Sequence, residues 1–440
     1  MTENKNLRKI ALDLLLEYEN QGKYVNLSLS SHKTDGLSQE ERSLLTAILY
    51  TSVERKLRYD YYVAAISARP LDKFDITTRC ILRLGLCQLL DMDAIPAFAA
   101  VNETVKLARN KGERSFVNFV MREADRRRDS LPLPDRNKNL SKYLSVAYSF
   151  PLWIVKRFIS VFGEDRAEKI LAGFSEIPTT DLRVNTAVVS TDELLSKLLE
   201  MGLSVSNSPY SPDSLRIEGS VDPRKLPYYN EGGFIVQDAA CSAAIYALSA
   251  MPGDKIADVC ACPGGKSFAA AMAMKNEGEI HSFDIHESKL SLIESGAERL
   301  GIDIITTEER DARYPDEALL ESLDRVICDV PCSGLGVLSK KPDLRYKSEE
   351  GICELPSLQY EILSASAKYL KVGGRLIYST CTILPEENEA VVERFIKENP
   401  GYRTVDFNIG EFDSKNGSFT FIPCDHKTDG FFLSLIEREI

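Results

Sequence analysis

Residues Asp258-Val-Cys-Ala-Cys-Pro-Gly-Gly-Lys-Ser267 decide how the second half of the chain folds. The apolar run Lys255 to Ala261 predicts a strand, the paired Gly264 and Gly265 a turn, and the residues from Ser267 onward a helix. Glycines at such a turn let a ligand approach the backbone, and the helix start presents N–H groups to it. The segment reads as a ligand cradle whose binding residues are Cys260, Ala261, Cys262, Pro263, Gly264, Gly265 and Lys266. It is not a Walker A loop, which needs glycine where Cys260 stands, nor a Gly-x-Gly-x-x-Gly fingerprint, so phosphate binding loses support. Cys260 and Cys262 read as small packing residues beside the ligand, not as a redox pair.

From Gly233 onward strands and helices alternate, which predicts a doubly wound domain with a parallel sheet covered on both faces. The strand candidates are Lys255 to Ala261, Glu279 to Ile285, Ile302 to Thr306, Arg325 to Asp329, Arg375 to Thr380 and Phe431 to Ile436. Helices over Ser288 to Leu300 and Leu358 to Leu370 fill two of the gaps. In open α/β sheets ligands bind outside the carboxyl ends of the strands. Asp284, at the end of the second strand and twenty residues after Gly264, reads as a holder of two ribose hydroxyls rather than a solvated strand-end carboxylate, and Asp311, after the third, as either a partner of an adenine amino group or a surface carboxylate. The run Val326-Ile-Cys-Asp-Val-Pro-Cys-Ser-Gly-Leu-Gly336 carries Asp329 and Cys332 into the same crevice. Gly374-Arg-Leu-Ile-Tyr-Ser-Thr-Cys-Thr382 does the same with Cys381, so two thiols from adjacent strand ends are expected in one pocket.

Upstream, the pattern is helical. Leu7, Ile10, Ala11, Leu14, Leu15 and Tyr18 form one apolar stripe, and Ser38 with Glu41 forms a capping box ahead of Leu44, Leu45, Ile48 and Leu49. Cys80, Ile81, Leu84 and Cys87 continue the bundle, the two cysteines as core fillers. Asp129 to Asn139 is a linker, and residues 140–230 mix helical stretches such as Trp153 to Ala172 with strand-like Thr180 to Val184 and Ser214 to Glu218. The expected domains are a helical bundle over 1–130, a small α+β domain over 140–230 and the doubly wound domain over 231–440.

Composition narrows the function. At 440 residues, 44% hydrophobic and 27% charged, the chain is neither disordered nor fibrous, and it is long enough for about three domains. No apolar stretch reaches the roughly 18 residues of a membrane span, and Met1 to Lys9 is polar, so a cytoplasmic location is expected. The ten cysteines are expected to be reduced thiols. His32, His281, His286 and His426 are isolated and no Cys-x-x-Cys pair exists, so no metal is expected. A net charge of −12 excludes a protein that coats nucleic acid with its whole surface. Residues 1–140 nevertheless carry 23 Lys and Arg against 19 Asp and Glu, which makes the front end the more suitable polyanion contact.

Cys260-Ala-Cys-Pro-Gly-Gly-Lys266, Asp329-Val-Pro-Cys-Ser333 and Ser379-Thr-Cys-Thr382 together resemble the motifs of the S-adenosylmethionine-dependent RNA cytosine-5 methyltransferases. Phe234-Ile-Val-Gln-Asp238 and Leu384-Pro-Glu-Glu-Asn388 extend the match. The front end resembles the antitermination factor NusB through Ile81-Leu-Arg-Leu84, Ile95-Pro96, Val101-Asn-Glu-Thr-Val105 and Phe116-Val-Asn118. The combination is similar to the bacterial 16S ribosomal RNA methyltransferases of the RsmB/Sun family, with Cys262 where Ala is usual, Ser267 for Thr and Val330 for Ala. The resemblance implies a Rossmann-like S-adenosylmethionine methyltransferase core, preceded by an all-α NusB-like RNA-binding bundle and a small α+β domain.

It also implies roles. Cys381 is the nucleophile that adds to C6 of cytosine, and Cys332 assists product release. Asp329 lies near N3 of the base and also among the cofactor-binding residues with Asp284 and Asp311, while Lys266 orients the cofactor turn or the catalytic carboxylate. The implied cofactor is S-adenosyl-L-methionine, and the implied partner is 16S ribosomal RNA before complete subunit assembly, bound by a monomer. Candidate RNA contacts are Arg126, Arg127 and Arg128, and Lys340 and Lys341 with Arg345 and Lys347. The same chemistry on transfer RNA, and a non-catalytic RNA-binding or antitermination factor with a relic domain, are the alternatives. Retention of both thiols argues against a relic.

Overall fold

The computed structural model describes residues 6–22, 25, 29, 34–176 and 179–440; His32 lies outside them. Two units form, one from Met1–Ala172 with Lys341–Lys347, the other from Gly173–Lys340 with Ser348–Ile440. No single helix among the described residues is long and apolar enough to cross a membrane.

The first unit is helical. Helix Leu7–Gln21 starts where the Asn6 side chain accepts from the Arg8 and Lys9 N–H groups, and it buries Leu7, Ala11, Leu12, Leu14 and Leu15. The Ser38–Glu41 capping box is formed at the head of helix Gln39–Glu54. Helix Ile76–Leu90, capped by Asp75, is buried almost all round, with Cys80 and Cys87 fully inside the core. The helical run expected from Trp153 to Ala172 is two helices, Leu152–Phe162 and Glu164–Gly173, because Gly163 takes a positive φ of 78° and ends the first.

Two arginines inside this unit act as polar staples. Arg83 is buried within helix Ile76–Leu90 and forks onto Asp60 at 2.6 Å, with Glu19 at 3.1 Å on its other side. Arg345, in the short segment that returns to this unit, is wholly buried. Its Nη1 donates to the carbonyls of Glu54 (3.3 Å) and Tyr148 (3.4 Å), and its guanidinium stacks 4.1 Å from the Phe150 ring. Tyr346 alongside donates to the Val53 carbonyl at 3.0 Å. The expectation that Arg345 touches RNA is therefore corrected: the side chain is wholly buried and its Nη1 bonds carbonyls inside the protein.

In the second unit, β1 (Thr180–Val184), β2 (Val205–Asn207), β3 (Ser214–Ile217) and β4 (Phe234–Val236) form an antiparallel sheet in the order β2-β3-β1-β4. The larger sheet contains β5 (Lys255–Asp258), β6 (Glu279–Asp284), β7 (Ile305–Glu309), β8 (Leu323–Asp329), β9 (Leu370–Thr380) and β10 (Tyr402–Thr404). A hairpin of β11 (Asn408–Ile409) and β12 (Phe412–Asp413) follows, then β13 (Ser418–Phe421) and β14 (Phe431–Arg438). The order is β10-β14-β9-β8-β5-β6-β7, with β13 on β14.

Strands β5 to β9 are mutually parallel, but β14 runs antiparallel to β9, so the sheet is mixed rather than parallel. A parallel neighbour needs a crossover of a dozen or more residues, usually a helix, whereas β14 returns from β13 through a short connection and pairs with it antiparallel. The third strand begins at Ile305, not Ile302. Gly301 caps helix Glu287–Leu300 in the left-handed region and the Ile302 N–H bonds the Ala297 carbonyl, so that isoleucine seals the helix end instead.

Side chains alternate between two cores. Ile256, Ile280, Ile327, Ile377 and Leu433 face one layer with helices Ala239–Leu248 and Gly265–Ala273. Ala257, Val326, Cys328, Leu376, Tyr378 and Phe432 face the other, against helices Leu355–Ala367 and Glu389–Glu398. This double coverage holds the strand ends rigidly.

Removing one partner of a buried ion pair leaves an uncompensated charge. Arg83→Ala is expected to destabilise the helical unit by about 3–5 kcal/mol. Urea unfolding followed by fluorescence of Trp153, the chain's single tryptophan and part of this unit, measures it.

Candidate active site

Strand order places the carboxyl ends of β7, β6, β5, β8 and β9 side by side, and the connections leave β5 toward β6 on one side while β8 lies on the other. Such a switch point opens a crevice. The cradle sits there. Helix Gly265–Ala273 starts directly at the glycine pair, two residues ahead of the expected Ser267, and Gly264 caps it at φ 105°. A Cβ at Gly264 would lie 2.5 Å from the Phe268 ring, so only glycine closes this turn. Gln237, which lies in the Phe234–Asp238 motif without a role assigned from sequence, donates from Nε2 to the Gly265 carbonyl at 2.7 Å and fixes the helix start.

Asp284 accepts from the Cys262 N–H (3.2 Å) and the His286 N–H (3.0 Å), which aims its half-buried carboxylate along the turn. Each oxygen retains lone-pair capacity for a ribose hydroxyl. Asp311, beyond β7, is held by Arg313 at 2.6 Å, and that hydrogen bond keeps its carboxyl below the usual range. Burial pushes the Cys260 thiol far up and the Cys262 thiol up to about 12, so both stay protonated. A glycine turn shaped for backbone approach, followed by acidic side chains at two successive strand ends, fits a nucleoside cofactor without its own phosphate groups.

Beneath the turn, Asp258 is fully buried. Its Oδ2 accepts from Ser267 Oγ at 2.7 Å, and Ser267 in turn meets Ser282 at 2.9 Å. Burial raises this carboxyl to about 7.

Lys266 reaches from the helix start to Asp329 at the end of β8, with Nζ 2.6 Å from Oδ2. Ser379 Oγ donates to the other oxygen at 2.7 Å. Burial opposes the ammonium, but Asp329 overrides it and the lysine pKa is raised. Lys266 also stands 5.3 Å above the Phe431 ring and 3.8 Å from Cys241 Sγ, a thiol that burial pushes up to about 12. Of the two roles open to Lys266, the geometry shows the contact with the carboxylate. Ser379 was detectable: it stands two residues before Cys381, the spacing that puts strand side chains on one face.

Cys332 and Cys381 meet with their sulfurs 3.1 Å apart, both as free thiols. The hydrogen bond with Cys381, together with burial, raises the Cys332 pKa well above the ordinary value. Among the described residues no three His, Cys, Asp or Glu side chains are grouped to hold a metal ion.

The basic residues expected at RNA behave differently from one another. Lys340 is bonded to Asp238 at 2.6 Å and Asp429 at 3.0 Å, and this is a correction: its charge is neutralised within the domain and is not available to a phosphate. Arg126 and Arg127 both pair with Glu123, while Arg128 donates to the Leu89 carbonyl. Lys341 is exposed.

Family models match the chain in three consecutive stretches. They are the NusB family over residues 5–126, the ferredoxin-like domain of RsmF/B-like methyltransferases over 150–223, and 16S rRNA methyltransferase RsmB/F over 245–437. The probable ribosomal RNA small subunit methyltransferase B of Bacillus subtilis is 33% identical, covering 98% of this chain and 99% of its own. Ribosomal RNA small subunit methyltransferase B of Escherichia coli is 30% identical over 100% of both chains. A solved methyltransferase homolog from Pyrococcus horikoshii is 26% identical and covers 69% of this chain and 99% of its own, with a TM-score of 0.60. Another solved structure covers 100% of this chain and 99% of its own at 28% identity and a TM-score of 0.80.

The Asp258 carboxyl supplies a pH test. Its folded pKa of about 7 lies above the ordinary 3.8, so the proton it binds stabilises the fold fully below 3.8, and that contribution is lost progressively as pH rises from there through about 7. Asp258→Asn carries no such loss. Urea unfolding of both proteins across that window is expected to show the variant gaining stability relative to the parent as pH rises; parallel profiles contradict the assignment.

Proposed function

The chain belongs to the 16S rRNA methyltransferase RsmB/F family, an RNA methyltransferase family that uses S-adenosylmethionine. From that membership we propose that it methylates C5 of a cytosine in small-subunit ribosomal RNA through a covalent bond between Cys381 and C6 of the base. The observation that carries the proposal is the pair of facing thiols at adjacent strand ends, beside a lysine-bound carboxylate and the glycine turn. The full-length relatives carry ribosomal RNA names, which favours that substrate over transfer RNA.

When bound, S-adenosylmethionine supplies an electrophilic methyl group on a sulfonium sulfur. The turn Cys260–Gly265, with Asp284 and Asp311, would hold it. C5 of cytosine is too poor a nucleophile by itself. Cys381 adds as a thiolate to C6, forming the S–C6 bond and moving the 5,6 π electrons toward C5 and N3. Asp329 meets the N3 side of the ring, sharing or passing the proton that the added electron density requires there, while Lys266 and Ser379 hold its two oxygens in place. Once C5 carries the methyl group, a base removes the C5 proton, those electrons restore the double bond, and the S–C6 bond breaks. Cys332, which keeps its own proton, donates a hydrogen bond to the departing Cys381 sulfur and so stabilises it as a leaving thiolate. The base must be extruded from folded RNA to enter the crevice, at a cost of a few kcal/mol.

Cys381→Ala is expected to lower labelled methyl transfer from S-adenosylmethionine to unmodified 16S RNA by at least about a thousandfold, the scale of losing a nucleophile. An active variant sinks the proposal. Cys332→Ala is expected to accumulate a covalent RNA–protein complex visible on a denaturing gel; absence of any trapped species removes the release role.

A further inference from the structure

Behind the two thiols lies a carboxylate that the chemistry above does not use. Glu387 is wholly buried. Its Oε2 accepts from the Ser333 N–H at 2.8 Å and from Gln359 Nε2 at 2.9 Å, and its Oε1 takes the Ser333 hydroxyl at 2.5 Å. The residue next to Cys332 is therefore gripped twice by one carboxylate. Gln359 also donates to the carbonyl of Pro331, on the other side of Cys332, at 3.0 Å.

The same network reaches the second thiol. Ser333 Oγ lies 2.9 Å from Thr382 Oγ1, the neighbour of Cys381. A hydroxyl has one hydrogen, and a carboxylate oxygen is a stronger acceptor than a hydroxyl, so Ser333 gives its hydrogen to Glu387 and receives that of Thr382. Asn388 donates to the Thr382 carbonyl at 3.0 Å, Tyr378 donates to the Glu387 carbonyl at 2.7 Å, and the Gly336 N–H bonds the Cys381 carbonyl at 2.9 Å. Both thiol-bearing turns thus hang from the segment Glu387–Asn388.

We propose that Glu387 is a positioning residue that sets the Cys332 turn against the Cys381 turn, so that its loss impairs release of the methylated base more than formation of the adduct. The inference rests on the roles given to the two thiols under the proposed function. A buried carboxylate is a costly way to fasten a loop unless donors satisfy both oxygens, and here three donors converge on it. Glutamine in its place removes the charge and offers one acceptor oxygen to the three donors, so at least one of these hydrogen bonds is lost or reversed. The Glu387 charge also contributes to holding Cys332 in the thiol form.

The test compares full-length Glu387→Gln, Ser333→Ala, Cys332→Ala and the Cys332→Ala/Glu387→Gln double variant on unmodified 16S RNA with S-adenosylmethionine. The readout is the ratio of covalent complex to released methylated RNA. Glu387→Gln is expected to raise that ratio by about tenfold or more, the scale of misplacing a reacting group, and the double variant to match Cys332→Ala alone. A merely structural role lowers adduct and turnover together at an unchanged ratio, and that result, or additive effects in the double variant, overturns the proposal. If Glu387→Gln does not fold, as judged by circular dichroism, Ser333→Ala decides: it removes one hydroxyl and is expected to raise the ratio by a smaller factor, and an unchanged ratio overturns the proposal. Should Cys332→Ala itself trap nothing, the underlying reading of the thiols fails; should it trap while Glu387→Gln does not, only the positioning role fails.

Discussion

Strands β8 and β9 run parallel in a register that sets Asp329 opposite Ser379, and the site depends on that alignment. Ser379 bonds the carboxylate across the pair. Two residues further along one chain stands Cys381, and three further along the other stands Cys332, so a fixed register delivers two sulfurs to one point. The register is secured on both faces by apolar side chains that alternate between two cores, and a slip of one residue would turn Cys381 away from the crevice. Chemistry at the strand ends is thus a consequence of packing in the strand centres.

The second constraint is electrostatic. Several buried cations among the described residues are satisfied by carboxylates: Lys266 by Asp329, Lys340 by Asp238 and Asp429, Arg83 by Asp60 and Glu19. Each cluster fixes a turn or a helix. Each also withdraws a cation from the surface, so a count of lysines and arginines overstates what RNA encounters. The acidic balance of the whole chain is compatible with a polyanion substrate when recognition is local.

Much of this was legible in the residues. The glycine turn between strand and helix, the acidic residue ending the next strand and the two cysteines after later strands follow from period-two and period-3.6 patterns with turn chemistry, and the family resemblance drew on the same segments. The failures have physical causes. Arg345 and Lys340 looked like surface cations because a linear sequence does not show which carbonyls or carboxylates surround a side chain. The third strand shifted because Ile302 was taken as strand when it seals a helix end. The antiparallel β14 was missed because its apolar run reads alike in either direction. Glu387 sat in a quoted motif, yet nothing in its spacing showed that a charged residue would be buried under Cys332.

The assignment of Cys381 as the attacking sulfur is tested most directly with 16S RNA carrying 5-fluorocytosine. Fluorine at C5 leaves no proton to remove, so a covalent complex cannot resolve. Mass spectrometry of the digested complex is predicted to find the nucleotide on the peptide containing Cys381, dependent on S-adenosylmethionine. A nucleotide attached to Cys332, or no attached nucleotide with a fully folded enzyme, would contradict it.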